Sequence, residues 1–283
     1  MIPLKVLLCE GKTKEVWRHP LATADVLLKL KDVVTAGDGA RRAQFDNKGA
    51  YSARTAANCF RLLKAHGIPN HFIGEADDPC MLHARELRMI PREVVVRRIA
   101  TGSFLKRRPD VEEGTRFDDL LVEFFDKDDA NHDPLIIYDF VSERVLLFDQ
   151  KKPLAEGFLR EQPMASAGET HLIMERLKDL AIRAFLVLEA AWADQNVTLV
   201  DFKIECGFDV VTGEIVIGDV ITNDEWRLWP EGDRGRQLDK DTFRKAPEAT
   251  REVMEKLRVD YARVADMSDA FKLPVVMPAA ARR

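Results

Sequence analysis

Cysteine is scarce in this sequence. Cys9, Cys59, Cys80 and Cys206 are the only four in 283 residues, and no two stand at CxxC spacing. That excludes a disulfide framework and a thiolate zinc site and fits a reducing cytoplasm. The six histidines, at 19, 66, 71, 83, 132 and 171, form no i, i+4 pair. With no Ser or Cys elbow either, neither a histidine zinc site nor a hydrolase triad is encoded. No apolar stretch approaches the roughly 20 residues that span a bilayer, so we expect no membrane anchor. The opening MIPLKVLLCEGKTKEVW meets Glu10 too early for a signal-peptide core, so no secretion signal is expected. Positive charge is not in excess: 43 Lys and Arg face 48 Asp and Glu, a net charge of −5. A nucleic-acid binder held by a basic surface is therefore disfavoured, and any anionic ligand must be met by local basic clusters.

The composition, 46% hydrophobic and 32% charged, suffices for a substantial core. Short β-rich stretches open the chain, Lys5 to Leu8, Lys14 to Trp17 and Ala24 to Leu30. A helix over Ser52 to Ala65 ends at His66-Gly67-Ile68-Pro69 and leads into a strand, His71 to Gly74. Val94-Val95-Val96 reads as strand, and Ala100-Thr101-Gly102-Ser103 turns it into a short basic helix capped by Ser103. From Glu169 to Ala193, Ile173, Leu177, Leu180, Ala184, Leu188 and Ala191 fall on one face of a long helix. Strands Thr198 to Phe208 and Glu214 to Ile221 follow, then a closing helix Glu248 to Ala265 and an aperiodic tail from Pro274. This order predicts an α+β fold with largely antiparallel sheets. Three segments are expected: a small β-rich lobe over 1–95, a larger α+β lobe over 96–245, and a helix and tail over 246–283 that pack back on the body.

Gly11-Lys12-Thr13-Lys14 puts two ammonium groups at a tight turn. On its own it reads as a solvated hairpin as readily as a phosphate loop, and it lacks Walker A spacing. Arg97-Arg98-Ile-Ala-Thr-Gly-Ser103 can cradle a monophosphate, but strand alternation allows only one of the two arginines to face it. The alternative is an arginine paired with a surface carboxylate. Asp201-Phe-Lys203-Ile-Glu205 sets three charges on one strand face, with Phe202, Ile204 and Cys206 on the other. Such a mixed face is costly to bury unless it is paired or holds a ligand. Asp219 interrupts the next strand, and two carboxylates on neighbouring strands suit Mg²⁺ bound to nucleotide phosphates. A salt bridge with Lys203 is the structural alternative. The turn between these strands then has a predicted form. A three-residue loop, Val211 to Gly213, or an equivalent bulge sets Glu205 opposite Asp219, whereas a two-residue loop would pair Glu205 with Val220. Lys127 to Pro134 reads as an exposed acidic loop, and Thr35 to Arg41 as a glycine-bracketed connection able to approach a ligand.

Taken in order, GKTKEVW, TAGDGARRAQFDNKG, RRIATGSFLKR, KDDANHDP, LVDFKIECGFD and GDVITNDEWRLWPEGDR closely resemble the SAICAR synthetase family, over residues 9 to about 245. The resemblance implies an ATP-grasp-like, two-lobed α+β architecture. It also implies ATP-dependent amide formation between L-aspartate and carboxyaminoimidazole ribonucleotide (CAIR), through an acyl phosphate, in purine synthesis. By that resemblance Lys12, Lys14 and Lys127 face ATP, with Glu205 and Asp219 on Mg²⁺. Arg97, Ser103, Arg227, Asp38 and Asp224 bind substrate, while Lys203, Asp201 and Asp133 surround the reacting carboxylate as the catalytic residues, with Asp201 the candidate base for the aspartate amine. A cytoplasmic homodimer is implied as well. Val220 stands where short bacterial members usually carry glutamate, and GDVITNDEWRLWP resembles the synthetase part of the bifunctional animal enzyme, whose carboxylase domain is not expected here. The segment 139–168 is longer than the family pattern and reads as a lid or subunit contact. A small-molecule kinase and a non-catalytic nucleotide sensor are the alternative readings of the same phosphate and metal groups.

Overall fold

Alternating apolar residues shape the first lobe. The computed structural model describes residues 6–37, 39–164 and 166–274. Strands β1 (Leu7–Glu10), β2 (Lys14–Arg18) and β3 (Asp25–Leu30) are followed by the hairpin β4 (Val33–Ala36) and β5 (Arg41–Gln44). Helix α1 (Lys48–Ala65) comes next, then β6 (Phe72–Glu75) and β7 (Met81–Arg85). Five of these strands form an antiparallel sheet in the order β1-β2-β3-β7-β6. The apolar face of α1, including Ala53, Ala56, Phe60 and Leu63, closes against it.

The larger sheet starts at β8 (Leu87–Ile99), which therefore runs through the 95/96 division expected from sequence. Its other elements are α2 (Ser103–Arg107), β9 (Arg116–Asp126), β10 (Leu135–Asp139), β11 (Arg144–Phe148), β12 (Arg160–Pro163) and α3 (Ala167–Ala193). Then come β13 (Val197–Asp209), β14 (Ile215–Gly218), β15 (Trp226–Pro230), α4 (Asp241–Lys245) and α5 (Arg251–Asp269). The sheet order is β12-β11-β10-β9-β8-β13-β14, with β15 also on β13 and all pairings antiparallel. Helix α3 lays Leu177, Leu180, Ala184, Phe185 and Leu188 over Val94, Val96, Phe202 and Ile204 in the main core. Each such fully buried side chain contributes about 1.5–3 kcal/mol. Helix α5 returns to the first lobe, where Leu257 and Tyr261 pack with Val34, Phe45 and Phe243.

The segment 139–168 is built into the large sheet: β11 and β12 extend it, and Val145 and Leu147 pack with Ile136 and Met164. One sequence expectation is corrected. The β13–β14 loop has four residues, 210–213, not three, so Glu205 faces Gly218 and not Asp219. The cause is Asp209, whose carboxylate accepts the N–H groups of Val211 (2.7 Å) and Thr212 (3.1 Å). Its carbonyl also accepts from Gly213 at 2.8 Å. This Asx turn starts the reversal one residue early, and Gly213 closes it at φ 73°.

Candidate active site

The two lobes enclose a cleft of about 830 Å³. Strand β13 forms its floor, because period-two alternation sends Phe202, Ile204 and Cys206 into the core and leaves Asp201, Lys203 and Glu205 on the other face. Lys12 and Lys14 reach the cleft from the β1–β2 turn and β2, and Lys127 and Asp133 from the β9–β10 connection. Arg97, Ser103, Asp219, Asp224 and Arg227 also line it. Every sequence-predicted site residue is thus gathered here except Asp38, which lies outside the described residues; Gly37 and Gly39 beside it line the cleft.

At one end, Glu205 is met by Lys127 and by Lys203 at 3.4 Å. Burial would lift its pKa, but Lys203, Lys127 and Lys14 outweigh it and hold the carboxyl at about 2. Lys203 also pairs with Glu93 at 2.7 Å, and its ammonium is stabilised against burial by Glu93 and Glu205. Lys14 pairs with Asp219; burial brings its pKa down to about 8, against the pull of Glu205. Asp219 joins this group despite the even loop, because its backbone turns left-handed (φ 55°) where β14 ends. The buried His71 ring holds that turn, its Nε2–H donating to the Asp219 carbonyl at 2.9 Å. Among the described residues no three His, Cys, Asp or Glu side chains are set to hold a metal. Two carboxylates suit Mg²⁺, which is bound by one or two protein oxygens plus phosphates and water.

At the other end, β8, β13 and β15 place Arg97, Asp201 and Arg227 side by side. Asp201, 2% exposed, accepts from both guanidinium groups at 2.6 Å each. Arg97 pairs further with Glu123 at 2.7 Å, Arg107 shares Glu123 at 2.5 Å, and Arg227 reaches Asp241 at 3.2 Å. Arg98 turns away to Glu189, as strand alternation requires. Ser103 is not the cap of α2 but its first residue. Gly102 takes the cap position at φ 63°, and a Cβ there would stand 2.5 Å from the Arg227 guanidinium.

Sequence reasoning missed several charged residues of the cleft. Lys240 lines the cleft and pairs with Asp224 at 3.2 Å, and behind the lining the buried Lys48, the first residue of α1, pairs with Asp224 at 2.7 Å and the Tyr261 hydroxyl donates to it at 2.9 Å. Burial resists ionisation of Asp224, yet Lys240 and Lys48 hold its pKa well below the carboxylate range. Glu93 and Glu225 also line the cleft. Alternation with Arg227 was the available signal for Glu225; none points to Lys240, which no motif includes.

The SAICAR synthetase family model matches residues 7–259. A phosphoribosylaminoimidazole-succinocarboxamide synthase of Roseiflexus sp. (strain RS-1) is 44% identical over 264 residues, covering 93% of this chain and 96% of its own. The bifunctional phosphoribosylaminoimidazole carboxylase/phosphoribosylaminoimidazole succinocarboxamide synthetase of Rattus norvegicus is 41% identical over 259 residues, covering 92% of this chain and 57% of its own. Among solved structures, a type-2 SAICAR synthetase in complex with ADP matches with TM-score 0.72 at 31% identity, over 94% of this chain and 99% of that one. The synthase from Ehrlichia chaffeensis matches with TM-score 0.74 at 25% identity, over 94% and 100% of the two chains. On the family match, the identities and the shared fold together, the chain belongs to the SAICAR synthetase family.

Proposed function

We propose that this ATP-dependent ligase joins the amino group of L-aspartate to the carboxylate of CAIR, giving SAICAR, ADP and phosphate. The observation that carries the reading is the pair of anion-receiving clusters on one strand. Lys14, Lys127 and Lys203 surround Glu205, and Arg97 and Arg227 flank Asp201. Four strand steps lead from Asp201 to Glu205, about 13 Å, with Lys203 midway. That spacing suits a phosphorylated substrate at one end, nucleotide phosphates at the other, and the reacting carboxylate between.

A carboxylate is a poor electrophile, so its oxygen first takes the γ-phosphoryl group of ATP, and the acyl phosphate is then opened by the amine. Lys12, Lys14 and Lys127 bind the triphosphate and offset charge that builds on the moving phosphoryl group. Glu205 and Asp219 would hold Mg²⁺, which supplies further charge neutralisation at the phosphates. Arg97, Arg227 and the Ser103 hydroxyl bind the ribonucleotide phosphate, and Lys203 orients the CAIR carboxylate. Asp201 acts as a positioning residue for the two arginines, and Asp133 and Asp224 line the substrate space. We place the enzyme in the cytoplasm, as a homodimer; a monomer by sedimentation would remove the latter point. No helix among the described residues is long and apolar enough to cross a membrane.

The test is isotopic. CAIR whose carboxylate carries heavy oxygen, incubated with ATP, Mg²⁺ and L-aspartate, transfers one labelled oxygen to phosphate. Amide formation with unlabelled phosphate would contradict the acyl phosphate.

A further inference from the structure

Glu225 stands where the two clusters meet. In the β13–β15 pairing Asp201 lies opposite Arg227 and Phe202 opposite Trp226. One step further, the Lys203 N–H donates to the Glu225 carbonyl at 2.8 Å. Alternation therefore sets Glu225 on the cleft face beside Lys203, two residues from Arg227. Its carboxylate is anchored at one oxygen: Oε2 accepts from the Thr222 N–H at 3.0 Å and the Thr222 hydroxyl at 2.7 Å. Among the described residues Oε1 accepts no hydrogen bond and no Lys or Arg pairs with the group. By contrast, Glu205, Asp219, Asp201 and Asp224 are each matched by a direct ion pair. Burial and the neighbouring Asp224 raise the Glu225 pKa, with Lys203 and Lys14 pulling the other way. A raised carboxylate accepts protons better near neutral pH.

We propose that Glu225 receives the ammonium group of the incoming amino acid and removes its proton before attack on the activated carboxylate. This rests on the acyl-transfer reading above. An amino acid enters with –NH₃⁺, which has no lone pair to offer. One proton passes to Glu225, and the freed lone pair forms the C–N bond. The C–O bond to phosphate breaks with its electron pair leaving on phosphate. A second N–H proton goes to the departing phosphate, and Glu225 returns its proton to solvent. Lys14 and Lys203 repel an ammonium, so a carboxylate not already neutralised by them is what this stretch of the cleft needs to admit one.

The experiment compares two nucleophiles in wild type and Glu225→Gln. Hydroxylamine is largely unprotonated at neutral pH, needs no base, and traps the acyl phosphate as a hydroxamate. With L-aspartate, kcat of Glu225→Gln falls about 10²- to 10⁴-fold and the residual rate climbs with pH. Hydroxamate formation from CAIR and ATP stays within about threefold of wild type. Glu225→Asp, which keeps a carboxylate, recovers part of the L-aspartate rate and guards against misfolding of the first variant. Equal loss with both nucleophiles would overturn the proposal, placing Glu225 in phosphoryl transfer through Lys14 and Lys203. An unchanged rate with L-aspartate would overturn it too. Wild type that forms no hydroxamate would overturn the ligase reading instead.

Discussion

Asp201 takes two guanidinium groups on a single oxygen, Oδ2, of one buried carboxylate, which holds Arg97 and Arg227 side by side. Charge-assisted bonds of this kind are worth about 1.5–3 kcal/mol each. If Arg97 also carries substrate phosphate, Arg97→Ala raises KM for CAIR about 10- to 100-fold while KM for ATP moves little. An unchanged KM for CAIR in steady-state kinetics would refute the assignment. Asp239, nearby and buried, is a different case. Burial first, then repulsion from Asp241, brings its pKa up from 3.8 to about 6. The folded state thus holds that proton more tightly than the unfolded chain. The contribution is fully present below pH 3.8 and is lost as pH rises through about 6. Asp239→Asn cannot ionise, so relative to wild type it gains about 1–3 kcal/mol between pH 4 and pH 7 in urea unfolding. A pH-independent difference would contradict this.

Elements show where local sequence signals suffice and where they do not. The apolar stripe of α3 announces a helix, and the structure runs it over Ala167–Ala193 with Ser166 as its cap, accepting the Glu169 N–H. Strand β9 reads RFDDLLVEFFD, and its carboxylates blur the alternation that marks a strand. Glu123 turns out to be one of the buried partners of Arg97 and Arg107, a long-range fact that no local pattern encodes. The β13–β14 loop depended on a side chain, Asp209, capturing backbone N–H groups, which residue spacing alone does not decide. Two element-scale predictions follow from packing. Leu147→Ala, at 1% exposure in β11, costs about 2–4 kcal/mol in chemical unfolding, because its side chain packs with Ile136, Val145 and Met164. No change in midpoint would contradict its place in the sheet. In the turn before α2, Gly102→Ala adds a Cβ against the Arg227 guanidinium at a positive φ. It raises KM for CAIR and lowers stability by about 1–3 kcal/mol; wild-type values in both would show the arginine free to move.

At the scale of the whole molecule, two lobes make one site because the charged face of β13 is left uncovered by α3 and the first lobe brings lysines over it. Strand alternation made Asp201, Lys203 and Glu205 legible in advance, and the ordered motifs made the rest legible by resemblance. The partners of Asp224 were not legible from pattern, since Lys48, Lys240 and Tyr261 arrive from three elements far apart in the chain. Alternation with Arg227 marked Glu225, but its meaning depends on the β13–β15 register. The joined site makes a direct claim about chemistry: sustained ATP turnover needs CAIR and an amine acceptor together in the cleft. The decisive measurement is ADP release by the purified protein with ATP, Mg²⁺ and CAIR, with and without L-aspartate, following the product by mass. A ligase releases ADP in step with a succinocarboxamide product when L-aspartate is present, and with no amine acceptor ADP formation stops at the bound acyl phosphate. Sustained ADP release without aspartate incorporation, or ATP bound with no turnover in the complete mixture, would contradict it.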